Sequence, residues 1–259
     1  MMVPVTKVVY ATVSIRLLCN SFRIRKWQQK AMVITWLYLM VEKTMDKELV
    51  LKEAQKWVKN KLDGESSGHD WWHIVRVRNT AKTIAEAEGA DSFVCQLAAL
   101  LHDMADEKLN ADPEAARQAI IEWLANHLME PQTSKEILYI IDNMSFKGGQ
   151  GKVLDTIEGK VVQDADRLDA IGAIGIARCM AYSGHKGRLI HDPNMQPRQD
   201  LTPEDYRNGQ DTAIMHFYEK LLKLKDLMNT TFGRQMAEQR HNFLLQYLDQ
   251  FYAEWDGLR

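Results

Sequence analysis

His102 and Asp103 close the most apolar stretch of the chain, Leu97-Ala-Ala-Leu-Leu-His-Asp-Met-Ala-Asp-Glu-Lys108. An imidazole beside a carboxylate at the end of a buried helix is costly unless something pairs with both, and a metal ion is the obvious partner. Alone, the dipeptide equally describes a helix that ends in polar residues. A second anomaly lies in Val161-Val-Gln-Asp-Ala-Asp-Arg-Leu-Asp-Ala170, where Asp164, Asp166 and Asp169 interrupt an apolar helical pattern and need partners. A further histidine, His73, sits on a third helix behind Trp71 and Trp72. His73, His102, Asp103 and Asp166 together offer imidazole nitrogens and carboxylate oxygens, a mixed donor set that suits Mn²⁺, Fe²⁺, Co²⁺, Ni²⁺ or Zn²⁺ better than Ca²⁺. Four such ligands on an octahedral ion leave positions for water and substrate. Water bound there is acidified to a hydroxide nucleophile near neutral pH, while the ion polarises a phosphoryl oxygen.

The elements that must position these groups read as helices. Behind Asp46, a natural N-cap, the apolar positions Leu49, Val50, Ala54, Trp57, Val58 and Leu62 recur at helical spacing. A second helix begins around His69-Asp70 and runs to Gly89, and Asp91 caps the third, which delivers His102 and Asp103. Helices follow from Glu114 to about Met129, stopped by Pro131, and from Ser134 to about Asn143; Ser145 to Gly151 is a loop bearing Lys and Gly. Ile157 to Arg178 reads as one apolar helix that carries the three aspartates. Ser183 to Tyr206 is a polar connection too long for mere linkage, of the kind that closes over a site. Two amphipathic helices, Asp211 to Asn229 and Gly233 to Trp255, complete an all-α bundle with no alternating strand pattern and no repeat.

Composition agrees: of 259 residues 46% are hydrophobic and 26% charged, which suits a soluble helical protein with one large core. A net charge of -2 gives no global attraction to nucleic acid or to an acidic membrane. Cys19, Cys95 and Cys179 make no paired framework, so they read as free thiols in a reducing compartment, and a cytoplasmic enzyme is the default class. Residues 1–44 differ, with seven Lys or Arg against Glu42 alone and an apolar run from Ala31 to Val41 too short to span a bilayer. A membrane-surface or targeting helix, a partner-binding extension and an upstream start-site artefact all fit that extension. We favour the artefact, because Met45-Asp-Lys-Glu opens a well-formed helix where the charge balance changes.

The order His73, then His102-Asp103 behind Ala98-Ala-Leu-Leu, then Asp166 within Asp164-Ala-Asp-Arg-Leu-Asp-Ala170 resembles the H…HD…D signature of the HD-domain phosphohydrolases. His73-Ile-Val-Arg-Val77 looks like the first motif of that family, and Met45 to Trp255 is similar to the small bacterial HD proteins of the YpgQ/YedJ type; residues 1–44 fall outside the likeness. The resemblance implies an HD-domain helical bundle over 45–259, a single domain with the long polar loop near its active site. It assigns the metal to His73, His102, Asp103 and Asp166, with Mn²⁺ favoured and Mg²⁺, Co²⁺, Ni²⁺, Fe²⁺ or Zn²⁺ open. Asp164 and Asp169 then orient ligands or pair with Arg167. His69-Asp70 is a second HD dipeptide, but tryptophans follow it and no buried helix precedes it, so it reads as supporting the ligands from behind or facing substrate, outside the ligand set.

Asp106 and Glu107, one turn past the pair, match the acidic residues thought to assist catalysis in related hydrolases. Asp106 is the better general base, on the expectation that it shares a helix face with His102 and Asp103. Arg76, Lys108, Lys147, Arg167, Lys186 and Arg188 are the candidate phosphate donors, His185 and His191 candidate proton donors, and one of Trp71 and Trp72 could stack a base while the other joins the core. The implied reaction cleaves nucleoside or deoxynucleoside triphosphates to monophosphate and pyrophosphate. A 5'-nucleotidase, another phosphomonoesterase or phosphodiesterase, and a non-catalytic metal- or nucleotide-binding regulator are the alternatives. The implied partner is a small nucleotide, with no nucleic acid and no membrane for 45–259, and the apolar C-terminal helices would suit a homodimer. Deleting residues 1–44 is expected to leave solubility, location and activity unchanged; loss of membrane association on deletion would show instead that their Lys and Arg engage an anionic surface.

Overall fold

The chain divides into two units, Met1–Asp46 and Lys47–Arg259. The computed structural model describes residues 46–62, 70–106, 109–127, 129–144, 154–198 and 211–259, which belong to the second unit apart from Asp46. Among these residues the helices are α1 Lys47–Lys61, α2 Trp71–Glu88, α3 Ser92–Leu101, α4 Pro113–Asn126, α5 Pro131–Asn143, α6 Ile157–Asp169, α7 Gly172–His185, α8 Ala213–Glu219 and α9 Thr231–Trp255, with a 3-10 segment at Leu221–Leu227; they contain no strand. None of these helices is long and apolar enough to cross a membrane.

Helix α3 is the centre of the bundle because it is apolar all round: every residue from Phe93 to Leu101 is buried. It packs on α1, α2, α5 and α6. Asp91 starts it, its carboxylate accepting from the backbone N–H groups of Phe93 (2.8 Å) and Val94 (3.2 Å). Helix α2 is started by Asp70, which accepts from the His73 N–H at 2.8 Å, and is ended by Gly89 in the left-handed region at φ 72°. Its buried stripe of His73, Ile74, Val77, Ala81, Ile84 and Ala85 faces α3 and α6. The apolar neighbourhood therefore places His73 inward by helical register, with Trp71 and Trp72 left nearer the surface. Trp72 is 62% exposed and Trp71 only half-buried, so neither takes the core position expected from the sequence for one of the two.

Several helix boundaries depart from the sequence reading. Pro131 does not merely stop one helix; it begins α5, since the first helical position needs no N–H donor. The single helix expected over 157–178 is broken into α6 and α7, with Gly172 in the left-handed region at φ 75°. Arginines stabilise that break: Arg240 donates to the Leu168 carbonyl and Arg178 to the Asp169 carbonyl, two acceptors a helix end leaves open. The helix expected over 211–229 is α8 followed by the 3-10 segment, joined at Lys220, whose φ −135° and ψ −59° interrupt the helical run. Helix α7 also runs past Ser183 to His185, and the polar connection is irregular over 186–198; the Lys- and Gly-bearing loop and residues 199–210 lie outside the described residues.

A buried carboxylate ties α6 to the start of α9. Asp164 accepts hydrogen bonds from the backbone N–H groups of Asn229 (2.9 Å) and Thr230 (2.8 Å) and from the Thr230 hydroxyl (2.8 Å). The negative charge thus sits at a helix N-terminus, where unsatisfied donors converge. The contact is tight enough that a Cβ on Gly233 would lie 2.6 Å from both Asp164 Oδ2 and Thr230 Oγ1. Asp164→Ala strands two backbone donors, the buried one of Thr230 and the half-buried one of Asn229, at about 1–3 kcal/mol for a buried donor. Thermal unfolding should show a midpoint lowered by roughly 10 °C, and Gly233→Ala should also lower it; an unchanged midpoint in both variants would refute the clamp.

Candidate metal centre

The helices bring the four predicted ligands to one point: His73 from the first turn of α2, His102 and Asp103 from the turn that ends α3, and Asp166 from α6. His73 Nε2 lies 3.5 Å from Asp103 Oδ2 and 3.5 Å from Asp166 Oδ1. His102 Nε2 lies 3.2 Å from Asp103 Oδ1 and 3.9 Å from Asp166 Oδ1. One donor atom from each of His73, His102 and Asp103 falls within 4.8 Å of the others. His73, His102 and Asp103 are buried, whereas the Asp166 side chain is 34% exposed and marks the open side.

The far nitrogen of each imidazole settles which way its lone pair points. His73 Nδ1 donates to Asp169 Oδ2 at 2.7 Å, and His102 Nδ1 donates to the Ala99 carbonyl at 2.9 Å. Both partners are acceptors, so Nδ1 carries hydrogen and Nε2 of each ring is left to present a lone pair toward the carboxylates. His102 Nε2 is fully buried and makes no hydrogen bond. Lone pairs and carboxylate oxygens converging on one buried spot repel unless a cation joins them, and this donor set fits a divalent transition ion.

Titration behaviour follows from the same contacts. Burial depresses the His73 pKa and favours the neutral imidazole that a metal requires. Burial also works against a charged His102, but Asp103 and Asp166 outweigh it and hold its pKa above the ordinary histidine value. A proton and a metal ion thus compete for the same place. Burial alone would push Asp169 up, yet its bonds to His73 and Arg76 and the nearby Arg178 hold it well below the usual carboxylate range. Arg76 grips it through Nε (2.7 Å) and Nη2 (3.0 Å), and Arg178 Nη1 reaches it at 2.8 Å.

The other residues singled out from the sequence scatter. Asp106 is half-buried and within electrostatic reach of His102, but residues 102–105 form a turn rather than helix, so the shared helix face expected for it does not exist. Its position comes from that turn, with its N–H on the Asp103 carbonyl at 3.1 Å. Arg76 is bound to Asp169, and Arg167 is buried and donates to the Leu227 carbonyl. The pairing of Arg167 with Asp169 gives way to Arg76 and Arg178. Lys186 and Arg188 gather around the Tyr182 ring, at 5.7 and 5.4 Å, and Arg188 also meets Asp211 at 2.8 Å. His185 is exposed at the end of α7, and His191 packs edge-on against Phe251, Tyr252 and Trp255. His69, Glu107, Lys108 and Lys147 lie outside the described residues.

Two cations that the sequence reading passed over, Arg178 and Lys220, belong to this neighbourhood: Arg178 through Asp169, and Lys220 through the electrostatic reach of its side chain to Asp166 and Arg178. A helix of mixed character around Arg178 gave no signal for it. Lys220 sits in Phe217-Tyr-Glu-Lys-Leu-Leu222, which reads as an ordinary amphipathic turn.

Comparison with known proteins finds relatives of this chain in sequence and in fold. The HD domain family profile matches residues 71–171. YpgQ of Bacillus subtilis is 40% identical over 213 residues, covering 80% of this chain and 96% of that protein. The structure of an HD-superfamily hydrolase from Bacillus thuringiensis aligns with a TM-score of 0.67 at 46% identity, covering 82% of this chain and 99% of its own. The structure of Bacillus subtilis YpgQ in complex with ADP aligns with a TM-score of 0.65 at 39% identity, covering 81% of this chain and all of that one.

Because Asp169 fixes the His73 tautomer, Asp169→Asn should weaken divalent-metal binding by about 10- to 100-fold. Calorimetric titration of the metal-stripped chain with Mn²⁺ measures it, and an unchanged affinity would show that His73 is not a ligand.

Proposed function

This chain belongs to the HD domain family, and from that premise we propose that it is a metal-dependent phosphohydrolase of nucleotides, cleaving nucleoside or deoxynucleoside triphosphates to monophosphate and pyrophosphate. One observation carries the reading. Two histidines, each with its Nδ1 hydrogen engaged, turn Nε2 toward Asp103 and Asp166, and Asp166 opens to solvent. A purely structural metal site is closed by its ligands; an open side leaves room for substrate. The ADP complex of the relative YpgQ supports a nucleotide as that substrate.

In this proposal His73, His102, Asp103 and Asp166 hold the ion; the mixed donors suit a divalent transition ion, and the resemblance to the family favours Mn²⁺. When bound, a divalent ion lowers the pKa of a water and polarises a phosphoryl oxygen. The protein's own groups do the rest. Burial keeps His73 neutral and Asp169 aims it, while Arg76 and Arg178 keep Asp169 charged. Asp106, half-exposed beside His102, takes the proton released when water adds at the α-phosphorus, and Glu107 is its sequence neighbour in the same role. The bond formed is phosphorus to water oxygen; the bond broken joins the α-phosphorus to the bridging oxygen, and pyrophosphate leaves with that electron pair. Lys108 and Lys147 are the remaining cations proposed to meet the phosphates, with Lys186 and Arg188 at the Tyr182 rim.

Release of pyrophosphate and orthophosphate should be measured over nucleoside mono-, di- and triphosphates with Mn²⁺, Mg²⁺, Co²⁺ or no metal. Monophosphate plus pyrophosphate from triphosphates, reduced to background in His102→Ala/Asp103→Ala, is the expected result. Orthophosphate from monophosphates would make the protein a nucleotidase, and silence across the panel would leave a metal- or nucleotide-binding regulator.

A further inference from the structure

The C-terminal end of α9 borders a cavity of about 450 Å³, a size typical of small-molecule sites. Its walls come from the connection before α8, from α8 itself and from the last turn of α9. None of the four candidate metal ligands lines it. Arg240 is the α9 residue that meets the end of α6, at the Leu168 carbonyl. From there α9 runs about four turns, roughly 20 Å, before Trp255 reaches the cavity.

The wall facing α9 is tied down at both ends. Arg188 pairs with Asp211 at 2.8 Å, and the Leu189 and Ile190 carbonyls accept from the Ala213 and Ile214 N–H groups, each at 3.0 Å. At the far end Arg198 donates its backbone N–H and its Nε to Glu219 Oε1 and its Nη2 to Oε2, all at 2.9 Å. The Glu219 side chain is fully buried, so this ion pair has no competing water. Between those ties His191 meets the rings of Tyr252 and Trp255 nearly at right angles, with centroids 5.5 and 4.8 Å away. Trp255 still keeps 49% of its surface open.

The lining also has a definite sign. No lysine or arginine lines the cavity among the described residues, whereas Asp256 does. Among the same residues no cation pairs with Asp256: Arg259, the nearest in sequence, turns back to Asp249 at 2.9 Å. Asp256 caps α9, whose open C-terminal carbonyls add to the negative potential. The rings of Tyr218, Tyr252 and Trp255 carry π-electron density, which attracts a cation and suits an alkylated ammonium head with little water to lose. Phosphates are disfavoured by the same charges. We propose that this cavity is a binding site for a small organic cation, an alkylated ammonium compound whose head lies among Tyr218, Tyr252 and Trp255 with its charge toward Asp256. The site is independent of the nucleotide reading.

Choline and 3,3-dimethyl-1-butanol share one shape, and only choline is charged. Titration of the full chain with each, followed by ligand-observed NMR, should show choline binding about tenfold more tightly. Trp255→Leu should weaken choline binding about tenfold, and Asp256→Asn should weaken choline while leaving the alcohol unchanged; Trp255→Phe should retain most of the affinity. Both sites lie on exposed positions, so melting temperatures and metal-dependent turnover should stay at wild-type values. Equal affinity for choline and the alcohol, no choline binding by wild type, or choline binding unchanged in both Trp255→Leu and Asp256→Asn overturns the proposal. Adenosine binding in place of choline, lost in Trp255→Leu, would make the cavity a stacking site for a neutral ring and overturn it equally.

Discussion

One buried carboxylate, Asp169, holds the site together. As the last residue of α6 it lies where the helix presents unsatisfied carbonyls, an unfavourable place for negative charge. Three donors reverse that: His73 and Arg76 from α2 and Arg178 from α7. A single anion therefore fixes the approach of α2 to α6, the direction of the turn into α7, and the tautomer of His73. Its cost is burial, and the donors exceed it, which is why the group stays ionised. Because these contacts converge on one atom pair, ligand geometry and helix packing are inseparable here.

The three aspartates of α6 divide their work by helical angle. At 100° per residue, Asp166 and Asp169 fall about 60° apart on one face, and Asp164 falls well round the other side. The structure uses both faces: Asp166 and Asp169 address His73, while Asp164 takes the N-terminal donors of α9. Asp164 and Asp169 are thus tolerated because each meets its own set of donors, and Asp166 because its side chain keeps access to solvent. Helix α6 becomes the shared wall between the candidate metal centre and the C-terminal helix.

Much of this is legible in the residues. An apolar helix that suddenly carries histidine or aspartate announces a buried partner, and His73, His102, Asp103 and Asp166 all announce themselves in that way. Helix identity is equally visible from periodicity and from caps such as Asp70 and Asp91. Where sequence and structure part, the cause is long-range. The break between α6 and α7 depends on Arg240 and Arg178 satisfying freed carbonyls, and no local pattern records that. Arg76 and Arg167 look like open cations in the sequence because the groups that occupy them, Asp169 and the Leu227 carbonyl, come from other elements. Trp72 suits a core by residue type, but the α2 register turns it away from one.

The two histidines of the candidate centre are held by different kinds of partner, and this separates their fates under genetic change. His73 depends on the side chain of Asp169, so one codon substitution can remove its support. His102 leans on the carbonyl of Ala99, a group that every amino acid supplies. Variation at position 99 can crowd the core, since Ala99 is fully buried, but it cannot erase that acceptor. Half of the imidazole alignment is therefore written in a side chain open to mutation, and half in the backbone path of α3, which only a change in the helix itself can rewrite.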